Sequence, residues 1–329
     1  MKKHATIVVT DYNFPDLSLE AAVLADSGCE LVGQHCKTEA ELVAAVAQAD
    51  AVITQFARIN ANVIAAMPQA RAIVRYGIGV DNVDLDAARN LGIPVSNIPD
   101  YCMDEVADHT LSFILGLTRQ VVTHNTDIRA GNWRLAVPVP AMRVLREQTV
   151  GVLGFGRIGR EVVKRLLAFK CRVLVFDTFV PAADIAAAGA TVATLDQIIA
   201  QSDVLTLHCP STAATRKLIN AATLARMKPG ALLVNVARGD LVDTPALVQA
   251  LHSGHIGGAA LDVFDPEPLP ADHDLRNAPN LILAPHIASA SPTAVRALRE
   301  GAARRALMAA LGELPPNIVN GVATVRHIA

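Results

Sequence analysis

Short apolar runs rich in Val, Ile and Leu alternate with alanine-rich amphipathic segments along almost the whole chain. TIVVT (6–10), ELVGQ (30–34), AVIT (51–54), AIVR (72–75) and IPVS (93–96) read as strands. Residues 17–27 and 39–48 read as helices, and in the second Leu42, Val43 and Val46 share one side. Pro94 makes 93–96 an edge strand, because proline cannot donate to a ladder. NIPD (97–100) breaks the rhythm and reads as a linker into a long helix at 104–119. An irregular stretch at 132–146 follows, with Trp133, Pro138 and Pro140. A second series then begins, with strands at 150–153, 172–176, 204–207, 232–236, 258–261 and 281–283. A last helix at 292–311 is ended by Pro315 and Pro316. Two such series predict an α/β protein with two doubly wound parallel-sheet domains.

Composition narrows the class. At 329 residues, the chain is too long for one ordinary domain. Its 52% hydrophobic content with only 4% aromatics suits helices packed on parallel strands. A net charge of −2 and the lack of any Lys/Arg block argue against a nucleic-acid partner. The densest basic cluster, Arg296, Arg299, Arg304 and Arg305 around Glu300, reads as a solvated helix face. Five cysteines, Cys29, Cys36, Cys102, Cys171 and Cys209, fit neither a zinc pattern nor a disulfide framework. No metal site is expected, and a reducing, cytoplasmic setting is. The opening MKKHATIVVTDYN has too short an apolar run for a signal peptide, and no stretch reaches the length of a membrane helix.

Candidate chemistry begins at Gly154-Phe155-Gly156-Arg157-Ile158-Gly159, a G-x-G-x-x-G between an apolar strand and a helix. Gly154 permits a tight turn, Gly156 lets backbone approach a pyrophosphate, and Gly159 lets helix and strand pack closely. The helix N-terminus offers unpaired N–H groups to phosphates. The next strand ends at Asp177, placed to accept both adenosine ribose hydroxyls and to repel a 2′-phosphate, so NAD is expected rather than NADP.

Three further strands end in ionisable residues. LLVNV runs into Ala237-Arg238-Gly239, GAAL into Asp262 and then Glu267, and LIL into Ala284-Pro285-His286. In an open α/β sheet, ligands lie beyond the carboxyl ends of strands. Arginine, carboxylate and histidine on one rim suit hydride transfer at a 2-hydroxy acid. The histidine takes the hydroxyl proton, the carboxylate fixes its tautomer, and the arginine fork grips the substrate carboxylate.

VGVLGFGRIGR (150–160), NVARGDLVD (235–243), GAALDVFDPEPLP (258–270) and APHIAS (284–289) together resemble the signatures of the D-isomer-specific 2-hydroxyacid dehydrogenases. Residues 75–115 resemble the phosphoglycerate dehydrogenase and C-terminal-binding-protein branches of that family. The resemblance implies a Rossmann NAD-binding domain at 102–296, inserted into a flavodoxin-like substrate domain made of 1–101 and 297–329. It implies a dimerisation arm at 120–147 and a homodimer. Arg238, Glu267 and His286 take the catalytic positions. Cofactor contacts fall at Gly154, Gly156, Arg157, Ile158, Gly159 and Asp177, and in the loop carrying His208, Cys209, Pro210 and Thr215. Ala237, Arg238, Asp262 (toward the nicotinamide amide) and His286 complete that set. Arg75, Tyr76, Gly77, Ile78 and Gly79 match the loop that holds the substrate carboxylate, together with Arg238. The implied activity is that of an NAD-dependent oxidoreductase (EC 1.1.1.-) acting on a small D-2-hydroxy or 2-keto acid. Two other uses fit the same scaffold: an NAD(H)-sensing regulator of corepressor type, and phosphite oxidation. The corepressor branch carries tryptophan three residues after its histidine, where this chain has Ser289.

Overall fold

The computed structural model describes residues 5–326, and expectations touching 1–4 and 327–329 lie outside those residues. The chain divides into two compact units, Met1–Tyr101 with Ser291–Ala329, and Cys102–Ala290. The return was expected at 297, and the division falls at 290/291, where Ser291 caps the last helix.

The first unit alternates β1 (Thr6–Val9), α1 (Ser18–Leu24), β2 (Glu30–Gly33), α2 (Glu39–Val46), β3 (Ala51–Thr54), α3 (Ala61–Ala65), β4 (Ile73–Arg75), α4 (Leu85–Asn90) and β5 (Val95–Ser96). The five named strands pair in parallel, in the order β2-β1-β3-β4-β5, the flavodoxin-like arrangement. The strands read as apolar runs because both faces are covered. Val8, Val52, Ile73 and Val95 pack with Leu42, Val46, Val63 and Ala88 of α2, α3 and α4. Their neighbours Ile7, Val9, Ile53 and Val74 pack on the other face, with Leu24 of α1 and the last helix of the chain. β5 is the expected edge, and it is covered. Val95 donates to Asn320 Oδ1 at 3.0 Å, accepts from Val319 at 2.9 Å, and Ser96 Oγ donates to the Pro316 carbonyl at 2.6 Å.

The second unit contains α5 (Met103–Thr118), α6 (Val121–Arg129), β6 (Thr149–Leu153), α7 (Arg157–Ala168), β7 (Arg172–Phe176), α8 (Ala182–Ala187), β8 (Thr191–Val192), α9 (Leu195–Gln201), β9 (Val204–Leu207), α10 (Ala221–Arg226), β10 (Ala231–Asn235), α11 (Thr244–His252), β11 (Ile256–Leu261) and β12 (Leu281–Leu283). Helix α12 (Pro292–Ala310) returns to the first unit. The sheet is again all parallel, ordered β12-β11-β10-β9-β6-β7-β8. Counting from β6, that is the dinucleotide-fold order 3-2-1-4-5-6 with one strand added at the far edge.

Three differences from the sequence reading have local causes. β8 was missed because it is a two-residue edge strand with both side chains exposed. Residues 121–129 are helical, and a left-handed Gln120 (φ 55°) separates α6 from α5. α6 buries none of its residues, which removes the apolar stripe that would have marked it. Helix α12 stops at Gly312, whose φ of 90° takes the left-handed ending, before the prolines are reached. Among the described residues, no helix is long and apolar enough to cross a membrane.

The basic cluster on α12 also differs from expectation. Arg299 is only 5% exposed and is aimed inward. Its Nε and Nη2 donate to Glu20 Oε1 and Oε2 of α1 at 2.9 and 2.6 Å, and Nη2 also reaches the Asp16 carbonyl at 2.6 Å. The Tyr76 hydroxyl donates to the same Glu20 at 2.8 Å. Removing one partner of such a pair strands a buried charge. Arg299→Ala therefore lowers unfolding free energy by about 3–5 kcal/mol, measured by urea denaturation. A loss too small to resolve would show that the pair holds nothing together.

Candidate active site

β6 ends in the glycine turn, and each glycine has its own steric reason. Gly154 has φ 102°, and a Cβ there would lie 2.6 Å from the His208 carbonyl carbon. The close approach is needed because β6 and β9 are neighbours, with His208 N–H donating to Leu153 O at 2.7 Å. A Cβ on Gly159 would strike the Gly154 carbonyl oxygen at 2.2 Å. Gly156 faces open space and is the N-cap of α7, which no side chain caps. Arg157 and Ile158 open that helix, whose uncapped N-terminus and partial positive charge fit an anionic diphosphate.

Asp177 stands at the end of β7, half-buried. It accepts Phe155 N–H at 2.6 Å, Phe179 N–H at 2.7 Å and Val180 N–H at 3.0 Å. Burial pushes its pKa up, but these three donors and the Arg160 charge outweigh it and hold the carboxyl below its usual range. The group therefore stays ionised and braces the glycine turn, with about one lone-pair site left, on Oδ2, to accept a further donor. Arg160, absent from the sequence reading, lies over the Phe155 ring at 4.5 Å.

The loop after β9 is internally tied. Burial pulls the His208 pKa down to about 3, so the ring is neutral, with Nε2 2.9 Å from Thr206 Oγ1. Burial likewise pushes the Cys209 thiol up to about 11, which rules out a thiolate nucleophile there at neutral pH. The Thr215 hydroxyl donates to the Pro210 carbonyl at 2.7 Å and closes the loop.

β10, β11 and β12 are adjacent and parallel, so the loops after them share one edge. Asn235 shapes the first: its side chain accepts Ala237 N–H at 3.0 Å and donates to the Arg238 carbonyl at 2.8 Å. Arg238 Nη1 donates back to Ala237 O at 2.7 Å. At Gly239 a Cβ would lie 2.0 Å from the Phe264 carbonyl carbon, so only glycine lets this loop pass against the next. In that next loop, Glu267 Oε1 accepts Phe264 N–H at 2.8 Å, while Oε2 lies 2.8 Å from His286 Nδ1. Burial would raise the Glu267 pKa; the His286 hydrogen bond and charge, the Phe264 N–H and the Arg238 charge together lower it. The carboxylate is thus ionised beside the imidazole, and its Nδ1 contact leaves Nε2 as the nitrogen for chemistry.

His286 has a left-handed backbone, φ 54°, and its N–H donates to the Asp262 carbonyl at 2.7 Å. The Asp262 carboxylate is fully buried and accepts Ile287 N–H at 2.9 Å and Ala288 N–H at 2.8 Å. Sequence reasoning gave Asp262 a cofactor contact and missed this hold on the histidine segment. It also missed His109 of α5, whose Nε2 is 3.7 Å from Asp262 Oδ1. Both residues stood in recognised motifs, but nothing in the spacing brings residue 109 to residue 262.

In the first unit, residues 75–79 follow β4. Tyr76 is turned inward: the residue is 2% exposed, its hydroxyl donates to Glu20, and its N–H donates to Thr54 O. Gly77 has φ 138° and donates to Arg75 O at 2.9 Å. A Cβ there would collide with the Arg75 guanidinium, which folds back over the turn. The Gly77 and Ile78 carbonyls accept from Ile98 N–H and Asn97 Nδ2 at 3.0 and 2.6 Å. The Ile78 and Gly79 N–H groups make no hydrogen bond among the described residues, so this loop has main-chain donors to offer a ligand.

Residues 111–288 match the family described as D-isomer specific 2-hydroxyacid dehydrogenase, NAD binding domain. A glyoxylate reductase of Thermofilum pendens is 37% identical over 312 residues, covering 89% of this chain and 88% of its own. A D-3-phosphoglycerate dehydrogenase of Mycobacterium leprae is 36% identical over 281 residues, 85% of this chain and 53% of its own. A solved D-lactate dehydrogenase of Aquifex aeolicus, complexed with NAD and lactic acid, is similar with a TM-score of 0.85 and 28% identity, covering 96% of this chain and 99% of that one. The chain therefore belongs to the D-isomer specific 2-hydroxyacid dehydrogenase family of NAD-binding oxidoreductases.

Proposed function

We propose that this protein is an NAD-dependent D-2-hydroxyacid dehydrogenase that interconverts a small 2-keto acid and its D-2-hydroxy acid, with glyoxylate the first substrate to test. The observation carrying this reading is the 2.8 Å pair of His286 Nδ1 and Glu267 Oε2, one strand-end loop from Arg238. When bound, NAD supplies the hydride acceptor or donor. The protein's own groups manage the proton and the charge. His286 Nε2 gives a proton to the keto oxygen in reduction and takes it back in oxidation. Glu267 fixes the ring's tautomer and stabilises the imidazolium. Arg238 grips the substrate carboxylate and polarises the carbonyl.

The domain roles follow. The unit of residues 102–290 holds NAD, and the other unit, with its 75–79 loop, holds substrate. A cytoplasmic setting suits a chain whose cysteines form no disulfide among the described residues. The arm at 120–147 is proposed as the dimer contact, because Trp133, Leu135 and Val139 are 92%, 60% and 62% exposed. That concentration of apolar surface is costly in water unless a second copy covers it.

Three outcomes are expected. His286→Ala loses about 10²–10⁴-fold in kcat with glyoxylate and NADH, while fluorescence titration still shows NADH binding; undiminished turnover would remove His286 from the chemistry. Asp177→Ser weakens NADH by roughly 10–100-fold through lost charge-assisted hydrogen bonds and narrows the gap to NADPH. A wild type that already prefers NADPH contradicts that reading. Light scattering finds a dimer for the wild type and a monomer for the Trp133→Asp, Leu135→Asp variant. A monomeric wild type would leave the arm without its assigned role.

A further inference from the structure

Asp262 is a fully buried residue whose main-chain N–H bonds Asn235 O of β10, while the hydrogen bonds it accepts all come from the histidine segment. Its main-chain oxygen accepts His286 N–H, and its two carboxylate oxygens accept the next two amides, Ile287 and Ala288. Three successive N–H groups are thus held by one residue, and they bracket a non-glycine backbone of φ 54°. Such a backbone persists only where its surroundings over-determine it. The grip depends on a carboxylate that keeps its charge and its orientation. Burial works against the charge and pushes the Asp262 pKa up, opposed by the Ile287 and Ala288 N–H groups and by His109 and His286.

His109 enters from outside this loop. It stands on α5, which packs on β10 and β11, and its ring lies 4.3 Å from Phe113 one turn along. Its Nε2 is shut off from solvent, makes no hydrogen bond among the described residues, and points at Asp262 Oδ1 across 3.7 Å. The helix is fixed in turn. Arg165 of α7 reaches Asp104 and Asp108 of α5 at 2.6 and 2.7 Å and Glu161 of α7 at 3.1 Å. A buried ring nitrogen facing the carboxylate that grips the histidine segment has a specific use.

We propose that His109 is a positioning residue for the reaction: its imidazole holds the buried Asp262 carboxylate in the orientation that grips the Ile287 and Ala288 amides, and so aims His286. This rests on the dehydrogenase reading for what His286 does, but the grip itself is measurable without turnover. His109 touches neither substrate nor the proton being moved, so its loss lowers kcat and leaves binding alone. A small misplacement of a catalytic group costs up to about a hundredfold in rate.

The test uses the full chain with His109→Leu, which keeps bulk and removes the nitrogen, and His109→Gln, whose amide nitrogen replaces Nε2. Hydrogen exchange at the Ile287 and Ala288 amides is read first. His109→Leu speeds it by about tenfold or more if the grip loosens locally, and His109→Gln restores protection. With glyoxylate and NADH, His109→Leu lowers kcat by roughly 10–100-fold while KM and NADH affinity stay near wild type, and His109→Gln recovers most of the rate. Unchanged exchange at the two amides overturns the positioning role whatever the turnover shows. So does a loss in which kcat, NADH affinity and melting temperature fall together and Gln gives no rescue. A wild type that turns over no 2-keto acid, with exchange still controlled by residue 109, would sink the dehydrogenase reading and leave the positioning contact standing.

Discussion

Parallel pairing of β10 with β11 and of β11 with β12 brings three strand-end loops of this chain together, and the candidate site depends on it. Because the strands run the same way, their carboxyl ends lie on one edge, and the loops carrying Arg238, Glu267 and His286 become neighbours. Adjacent strands are about 4.8 Å apart, so side chains of ordinary length can meet across them. The meeting is tight. Gly239 passes against the Phe264–Asp265 peptide where a methyl group would overlap it. The rest of the site is built on that edge.

Its three carboxylates show how environment separates roles. Asp177 accepts three amides and is held ionised. Glu267 accepts one amide and faces His286, with Arg238 acting on it, and is also held ionised. Asp262 is buried most completely, and there burial wins and raises the pKa. The first braces a turn, the second pairs with His286, and the third grips the backbone behind it. The sequence shows only Asp, Glu and Asp after apolar runs. The differences arise from how many N–H groups each one finds and how much water is left beside it.

A buried polar contact between helices recurs in the first unit, between α1 and α12. Arg299 looked like one more solvated arginine on a basic helix, yet it is turned into the core against Glu20 and Tyr76. The same glutamate takes the Tyr76 hydroxyl and holds that ring in the core. Both residues had polar or amphipathic side chains in segments whose apolar pattern was already assigned. Nothing local distinguishes an arginine facing water from one facing a glutamate 279 residues away.

The apolar runs by themselves determined the strands, the helices long enough to show a periodic stripe, the two α/β units, and the three ionisable residues placed just after neighbouring strands. These are short-range matters: a run of Val, Ile and Leu reports its own burial, and a glycine reports its own turn. Short helices with no buried face, the two-residue edge strand β8, the inward Arg299, the buried Tyr76 and the approach of His109 to Asp262 were decided by tertiary structure. Each depends on which surface arrives opposite a residue, and that is set by the packing of elements far apart in the chain.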